Sequence, residues 1–227
     1  MTLFVTGTDT GIGKTTVSRE LLRLARGVDI EVCGWKPVAS GCELGEGGLR
    51  SADALALQAA AATDEPYSRL NPYAFAPAIA PHLAAAAESR PIRVAELDRV
   101  HAELCRDYRL IIAEGAGGWL TPLDSMWTSG AWVAERDWPV LLVVGMRLGC
   151  LNHALLTAES VARRAPLAGW VANVLPPQME LLEENIASLR ERISAPCWGV
   201  LRSGAAPRFD DGAAVSERLL ALLPPPE

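Results

Sequence analysis

The chain has 227 residues and a formal net charge of -6, with half of its residues hydrophobic and 21% charged. That size and composition suit one α/β domain, residues 1–227, with a core large enough to need no staples. The acidic balance argues against a nucleic-acid backbone or an anionic membrane surface as partner, because both reward clustered Lys and Arg.

Five scattered cysteines, Cys33, Cys42, Cys105, Cys150 and Cys197, form no C-x-x-C pair, and His82, His101 and His153 have no ligand spacing. No basic and apolar leader pattern is read at the N-terminus, so reduced thiols and a cytoplasmic location are expected. No run approaches the ~20 apolar residues of a membrane span.

In chain order, the apolar residues 3–5 predict a strand that stops at a glycine loop, and a helix follows over residues 14–26. Residues 32–38 predict a second strand. Ser51 reads as the N-cap of a helix over residues 52–62, with Asp53 acidic in its first turn. Residues 63–81 are Pro-rich and read as irregular, and the alanine tract 84–87 and residues 94–107 read as helix. The continuous apolar runs 110–113 and 140–144 predict strands covered on both faces. A strand at 167–174, helices at 152–164 and 179–192, a strand at 197–201 and a helix at 213–223 complete the pattern. A low-complexity proline tail begins at Pro224. Strands alternating with helices predict a mostly parallel sheet wrapped on both faces.

The strongest local motif is Gly7-Thr8-Asp9-Thr10-Gly11-Ile12-Gly13-Lys14-Thr15, between the first strand and the first helix. Backbone N–H groups of such a turn converge on phosphate oxygens, and the helix N-terminus adds unpaired donors. Lys14 then reaches the β/γ-phosphates, and the Thr15 hydroxyl ligates Mg²⁺. Gly7 lies one residue further from Gly13-Lys14 than the usual spacing allows, so a plain strand-to-helix turn with a surface lysine is the alternative.

Ligands of an open parallel sheet bind beyond the carboxyl ends of its strands. Glu114 follows residues 110–113 and precedes Gly115-Ala116-Gly117-Gly118, where small residues admit close backbone approach. Asp53 is either a metal-side carboxylate or a helix-capping one. Lys36, before Pro37-Val38-Ala39-Ser40-Gly41, either neutralises charge in phosphoryl transfer or is a strand-end lysine reaching solvent. Among four nearby tryptophans, Trp119 is the one best placed to line a pocket, with core packing as the default.

Taken together, the phosphate loop, the blocks at residues 36–41, 51–55, 114–118 and 148–154, and Ala168-Gly169-Trp170-Val171-Ala172-Asn173 resemble the dethiobiotin synthetases, in that family's order. The resemblance implies a P-loop NTPase fold in a single domain. It also implies an ATP-dependent ligase of biotin biosynthesis. That reaction converts 7,8-diaminononanoate and CO₂, drawn from bicarbonate, into the cyclic urea of dethiobiotin through a phosphorylated carbamate.

The implied ATP site comprises Thr10, Gly11, Ile12, Gly13, Lys14, Thr15 and Thr16, with Asp53, Glu114, Gly117 and Asn173, the last facing the base. Thr15, Asp53 and Glu114 would hold Mg²⁺, and Lys14 and Lys36 would be catalytic. Ser40, Gly117, Gly118, Gly149, Cys150 and Asn152 would contact substrate. The last three would act across a homodimer interface, where a helix N-terminus receives the substrate carboxylate. Many members carry glutamate where this chain has Gly11. A nucleotide-switch ATPase would share the loop and sheet but has no use for the blocks at residues 36–41 and 148–153.

Overall fold

Along Leu110–Glu114 the side chains alternate between two packed faces. Ile111 and Ala113 join a cluster with Phe4, Trp35 and Leu97, while Leu110 and Ile112 join one with Val5, Val17 and Leu57. A strand buried on both sides needs no polar alternation, which is why the apolar runs are readable as strands. Each fully buried Leu or Ile contributes roughly 1.5–3 kcal/mol relative to exposure.

The computed structural model describes residues 1–202, 204 and 207–224, so all but the first proline of the tail lies outside the described residues. Its elements are β1 (Thr2–Gly7), α1 (Lys14–Gly27), β2 (Val32–Trp35), β3 (Val38–Ser40), β4 (Glu43–Gly45), β5 (Gly48–Arg50), α2 (Ala52–Ala61), α3 (Tyr67–Leu70), β6 (Tyr73–Phe75), α4 (Pro81–Ala87) and α5 (Val94–Asp107). The chain continues through β7 (Leu110–Glu114), α6 (Ser129–Ala134), β8 (Val140–Met146), α7 (Cys150–Ala162), β9 (Leu167–Val174), α8 (Leu182–Arg192), β10 (Cys197–Arg202), β11 (Arg208–Phe209) and α9 (Gly212–Leu222).

Among the described residues, seven strands form the main sheet in the order β11-β10-β9-β8-β1-β7-β2. All pairings are parallel except that of the edge strand β11 with β10. Helices α1, α2 and α9 cover one part of the sheet, and α4, α5 and α6 cover another. Helices α7 and α8 pack on Leu142, Val144 and Trp170. The order β8-β1-β7-β2 sets the carboxyl ends of β1, β7 and β2 side by side. Register pairs Trp35 with Ala113, so the next residues, Lys36 and Glu114, emerge together.

Several sequence expectations need correction. The stretch 32–38 is not one strand. β2 stops at Trp35, and β3 starts at Val38 in a separate two-stranded sheet with β6. Pro37 has no N–H to donate, and Lys36 gives its own N–H to the Leu70 carbonyl at 2.9 Å, outside the main ladder. The segment 63–81 is more regular than expected, because α3 and β6 lie within it. Helix α7 begins at Cys150 rather than residue 152, with Gly149 as its left-handed cap (φ 92°). Helix α8 begins later than expected, at Leu182. The hairpin β4–β5, turned by Gly47 and Gly48, and the short helix α6, capped by Thr128, are further elements beyond those expected.

Candidate active site

The phosphate loop is seated by contacts to three strands. Ile12 is buried against β1 and β8, where a Cβ on Gly7 or Gly145 would come within 2.7 or 2.8 Å of its side chain. Asn173, at the carboxyl end of β9, donates from Nδ2 to the Ile12 carbonyl at 2.8 Å. Gly13 holds φ at 85°, and a Cβ there would meet Asn173 Nδ2 at 2.1 Å. Only glycine satisfies both the positive φ and the close approach. The family resemblance has Asn173 facing the nucleotide base, and its amide nitrogen also holds this loop.

Lys14 opens α1, and its Nζ donates to the Asp9 carbonyl at 2.9 Å. Burial first, then the nearby charge of Lys36, lower the Lys14 pKa to about 8, against the pull of Glu114, Asp53 and Asp9. The Asp9 carboxylate pairs with Arg147 at 2.5 Å and so ties the loop to the segment before α7. Thr16 sits half-buried in the first turn of α1, while Thr10 and Gly11 are exposed at the loop tip.

The charged centre lies where β1, β7 and β2 end. Lys36 donates from Nζ to Glu114 Oε1 at 2.7 Å and to the Gly115 carbonyl at 3.2 Å, and it lies 3.1 Å from Asp53 Oδ2. The Thr15 hydroxyl lies 2.8 Å from Asp53 Oδ1 and 2.9 Å from Glu114 Oε1. Burial works to lower the Lys36 pKa, but the two carboxylates outweigh it and the net shift is upward. Burial likewise works to raise the Asp53 pKa, and the Lys36 charge with the Thr15 hydrogen bond turns the net shift downward. Lys36 is therefore a held ammonium and not a lysine reaching for solvent. Asp53 is not the cap of α2 either, since the Ser51 hydroxyl takes that role by accepting from the Ala54 N–H.

These donors fit Mg²⁺. Glu114 is fully buried, and its Oε2 makes no hydrogen bond among the described residues. With Asp53 and the Thr15 hydroxyl it forms an all-oxygen set of the kind a hard cation prefers. Among the described residues no group of three or more His, Cys, Asp or Glu could hold a metal, so remaining ligands must come from phosphate and water.

A cleft of about 560 Å³ opens over this centre, lined by Lys36, Ser40, Asp53, Thr10 and the backbone of Gly117 and Gly118. Ser40 Oγ is buried without a partner among the described residues. Gly117 has φ 64°, and a Cβ there would meet Thr121 Oγ1 at 2.8 Å. A larger recess of about 800 Å³ under the β4–β5 hairpin holds no comparable cluster of lysine and carboxylate among its lining residues, and the charged cleft is the candidate site.

The fold thus assembles Thr10, Lys14, Thr15, Lys36, Ser40, Asp53, Glu114, Gly117 and Gly118. It does not bring Gly149, Cys150 or Asn152 to the cleft. They start α7 beside Leu148, which is 97% exposed, and burial pushes the Cys150 thiol up. Trp119 is core, stacked edge-on to Phe4, and is not among the residues lining the cleft. The wall from Ala78 to Pro81, with Thr121 and Pro122, carries no motif that the sequence could show. Pro81, which opens α4, and Pro122, after the glycine-rich block, are its only cue.

Comparison with known proteins gives this geometry a family. A family model described as an AAA domain matches residues 1–205. The ATP-dependent dethiobiotin synthetase of Cellvibrio japonicus is 50% identical over 199 residues, 87% of either chain. That of Chromohalobacter salexigens is 46% identical over 231 residues, covering 97% of this chain and 98% of the relative. Among solved structures, the MinD cell division protein of Aquifex aeolicus superposes with a TM-score of 0.57 at 13% identity, over 100% of this chain and 99% of that one. A ParA family ATPase from Chlorobium tepidum gives 0.53 at 16% identity, over 96% and 89%. Those two share the fold, whereas the sequence relatives match nearly end to end, and the chain belongs to the ATP-dependent dethiobiotin synthetase family.

Proposed function

We propose that this chain closes the urea ring of dethiobiotin from 7,8-diaminononanoate, CO₂ and ATP, with Mg²⁺ held by Thr15, Asp53 and Glu114. The observation that carries the reading is Lys36, buried between Asp53 and Glu114 and opening onto the same cleft as Ser40. One substrate amine adds CO₂, loses a proton and becomes a carbamate. The carbamate oxygen attacks the γ-phosphorus, and ADP leaves. The second amine attacks the carbonyl of the mixed anhydride, phosphate departs, and the urea closes with loss of a proton.

The chain's own groups serve each step. Backbone N–H groups of residues 10–16 and Lys14 receive the phosphates. Lys36 sets a fixed positive charge where carbamate and transferring phosphate gather negative charge, without the cost of reorienting water. Ser40 Oγ, without a partner among the described residues, supplies a hydrogen bond to the carbamate. The bare backbone of Gly117 and Gly118 lets the diamine lie close. The bound Mg²⁺ would neutralise charge on the β- and γ-phosphates.

The substrate's carboxylate tail is assigned to the N-terminus of α7 of a second copy, which makes the working form a homodimer. The start of α7 favours an anion, and the exposed Leu148 beside it suits a covered face. Residues 1–227 act as one domain. A cytoplasmic setting fits the free thiols, and among the described residues no helix is long and apolar enough to cross a membrane.

The test is phosphate release from Mg·ATP with and without the diamine and bicarbonate, with product mass read from the same tubes. Release that requires both additives, with a product of dethiobiotin mass, is expected. Release indifferent to them would replace this reading with a nucleotide switch. Sedimentation of the wild-type chain as a monomer at assay concentration would remove the two-subunit site.

A further inference from the structure

Lys36 and Asp53 meet in the site, yet the main sheet does not hold them together. Lys36 follows β2, whereas Asp53 rides on the first turn of α2. The chain between them passes through the β4–β5 hairpin, whose first strand is exposed throughout and cannot set their separation. A line of polar contacts, buried at Asn71 and half-buried at Tyr67, can. Asn71, 3% exposed, donates from Nδ2 to the Lys36 carbonyl at 2.7 Å and to the Tyr73 carbonyl at 3.2 Å. Its Oδ1 accepts from the Tyr67 hydroxyl at 2.9 Å. That hydroxyl accepts from the N–H of Ser51 at 2.6 Å, and Ser51 caps α2. The Arg50 guanidinium lies 4.3 Å over the Tyr67 ring and steadies it.

We propose that Asn71 and Tyr67 are positioning residues for the reaction, tying the Lys36 backbone to the N-terminus of α2 so that the ammonium spans Asp53 and Glu114. The proposal rests on the reading of Lys36 and Asp53 given above. The body of α2 is anchored separately, by Leu57 packed under Gly34, where a Cβ would meet Leu57 Cβ at 2.8 Å. Its first turn can therefore shift while the helix stays in place. Without the Tyr67 hydroxyl, the Ser51 N–H loses its partner and the turn moves to recover one. Outer partners that aim charged ligands matter for this reason, since a displacement of about 1 Å at a reacting centre costs about 10²-fold in rate.

Tyr67→Phe in the full-length chain is the direct test, since it keeps the ring and its stack. The kcat for diamine-dependent phosphate release is expected to fall at least about tenfold. The Mg²⁺ concentration for half-maximal rate should rise about tenfold. The KM for ATP should stay within about twofold, because the phosphate loop lies off this line of contacts. Asn71→Ser should do the same, and the double variant should be no slower than the slower single variant, as expected of groups acting as one unit. Tyr108→Phe removes a hydroxyl bonded to Thr63 and Glu65 instead, and should lower Tm with kcat unchanged. Wild-type kcat and Mg²⁺ dependence in Tyr67→Phe, additive losses in the double variant, or failure of both single variants to fold would each overturn the proposal. A wild-type chain without diamine-dependent release would instead sink the synthetase reading, so the two failures are distinct.

Discussion

The ammonium of Lys36 lies 2.7 Å from Oε1 of Glu114, and neither side chain is more than 4% exposed. Two charges so deep in the protein add little to stability, because desolvation cancels much of their attraction. In the proposed reaction the pair would provide a fixed field at the end of the sheet, in the cleft where phosphate charge is moved.

Lys36→Met keeps the stem of the side chain and deletes the charge. Its kcat should fall by about 10²-fold or more, with ATP still bound, as lost transition-state electrostatics require. Steady-state phosphate release, with nucleotide binding followed separately, checks this. Near-wild-type turnover would remove Lys36 from the site.

Asp53→Ala separates two roles of one carboxylate. Ser51 already caps α2, so Tm should change little, while the half-saturating Mg²⁺ concentration should rise at least about tenfold. A variant with a lower Tm and an unchanged Mg²⁺ titration would make Asp53 structural.

Two loop glycines should respond differently to the same substitution. Gly13→Ala adds a Cβ 2.1 Å from Asn173 Nδ2 at a φ of 85°, so it must break the bond to the Ile12 carbonyl. ATP affinity should drop at least about tenfold, with strain on the order of 1–3 kcal/mol. Gly11→Ala has a positive φ but no described residue within 4 Å of the added Cβ, so about 1–2 kcal/mol of backbone cost is all that is expected. Calorimetric ATP titration and thermal melts of both variants decide it. Equal losses would mean that Asn173 does not hold the loop.

His101 should make stability pH-dependent away from the site. Its ring lies 4.4 Å from Trp138 and 5.6 Å from Trp35, and burial lowers its pKa to about 4. A histidine depressed on folding binds more protons when unfolded, so its contribution is complete above about pH 6.5 and is lost as pH falls toward 4. Discounted for partial exposure, the loss is on the order of 1–2 kcal/mol. Urea unfolding at pH 7.5 and pH 5 should show a smaller decline in His101→Gln than in wild type. An identical decline in the two would remove His101 as the source.

Contiguous chemistry is legible in the amino-acid sequence by itself. Residues 7–15 carry their own glycines, lysine and threonine, so one stretch of chain states both the turn and its phosphate donors. The runs 110–113 and 140–144 mark buried strands because burial on both faces leaves no polar alternation. Ser51 marks the start of its helix because a cap bonds only to its near neighbours. Resemblance of the ordered blocks then supplies Lys36, Asp53 and Glu114 as a set, although residue chemistry leaves Asp53 open between cap and ligand.

Tertiary structure decides what no neighbouring residue encodes. The order β8-β1-β7-β2 and the pairing of Trp35 with Ala113 bring Lys36 beside Glu114 from distant parts of the chain. The break at Pro37 sends Ser40 into a second sheet and over the cleft. The same long-range folding commits Asn173 to the Ile12 carbonyl and threads Asn71 and Tyr67 between Lys36 and Ser51. Periodicity and capping are satisfied within a turn or a strand and can be read locally. A hydrogen bond between residues far apart in sequence depends on strand order and register, which are set only when the whole core packs.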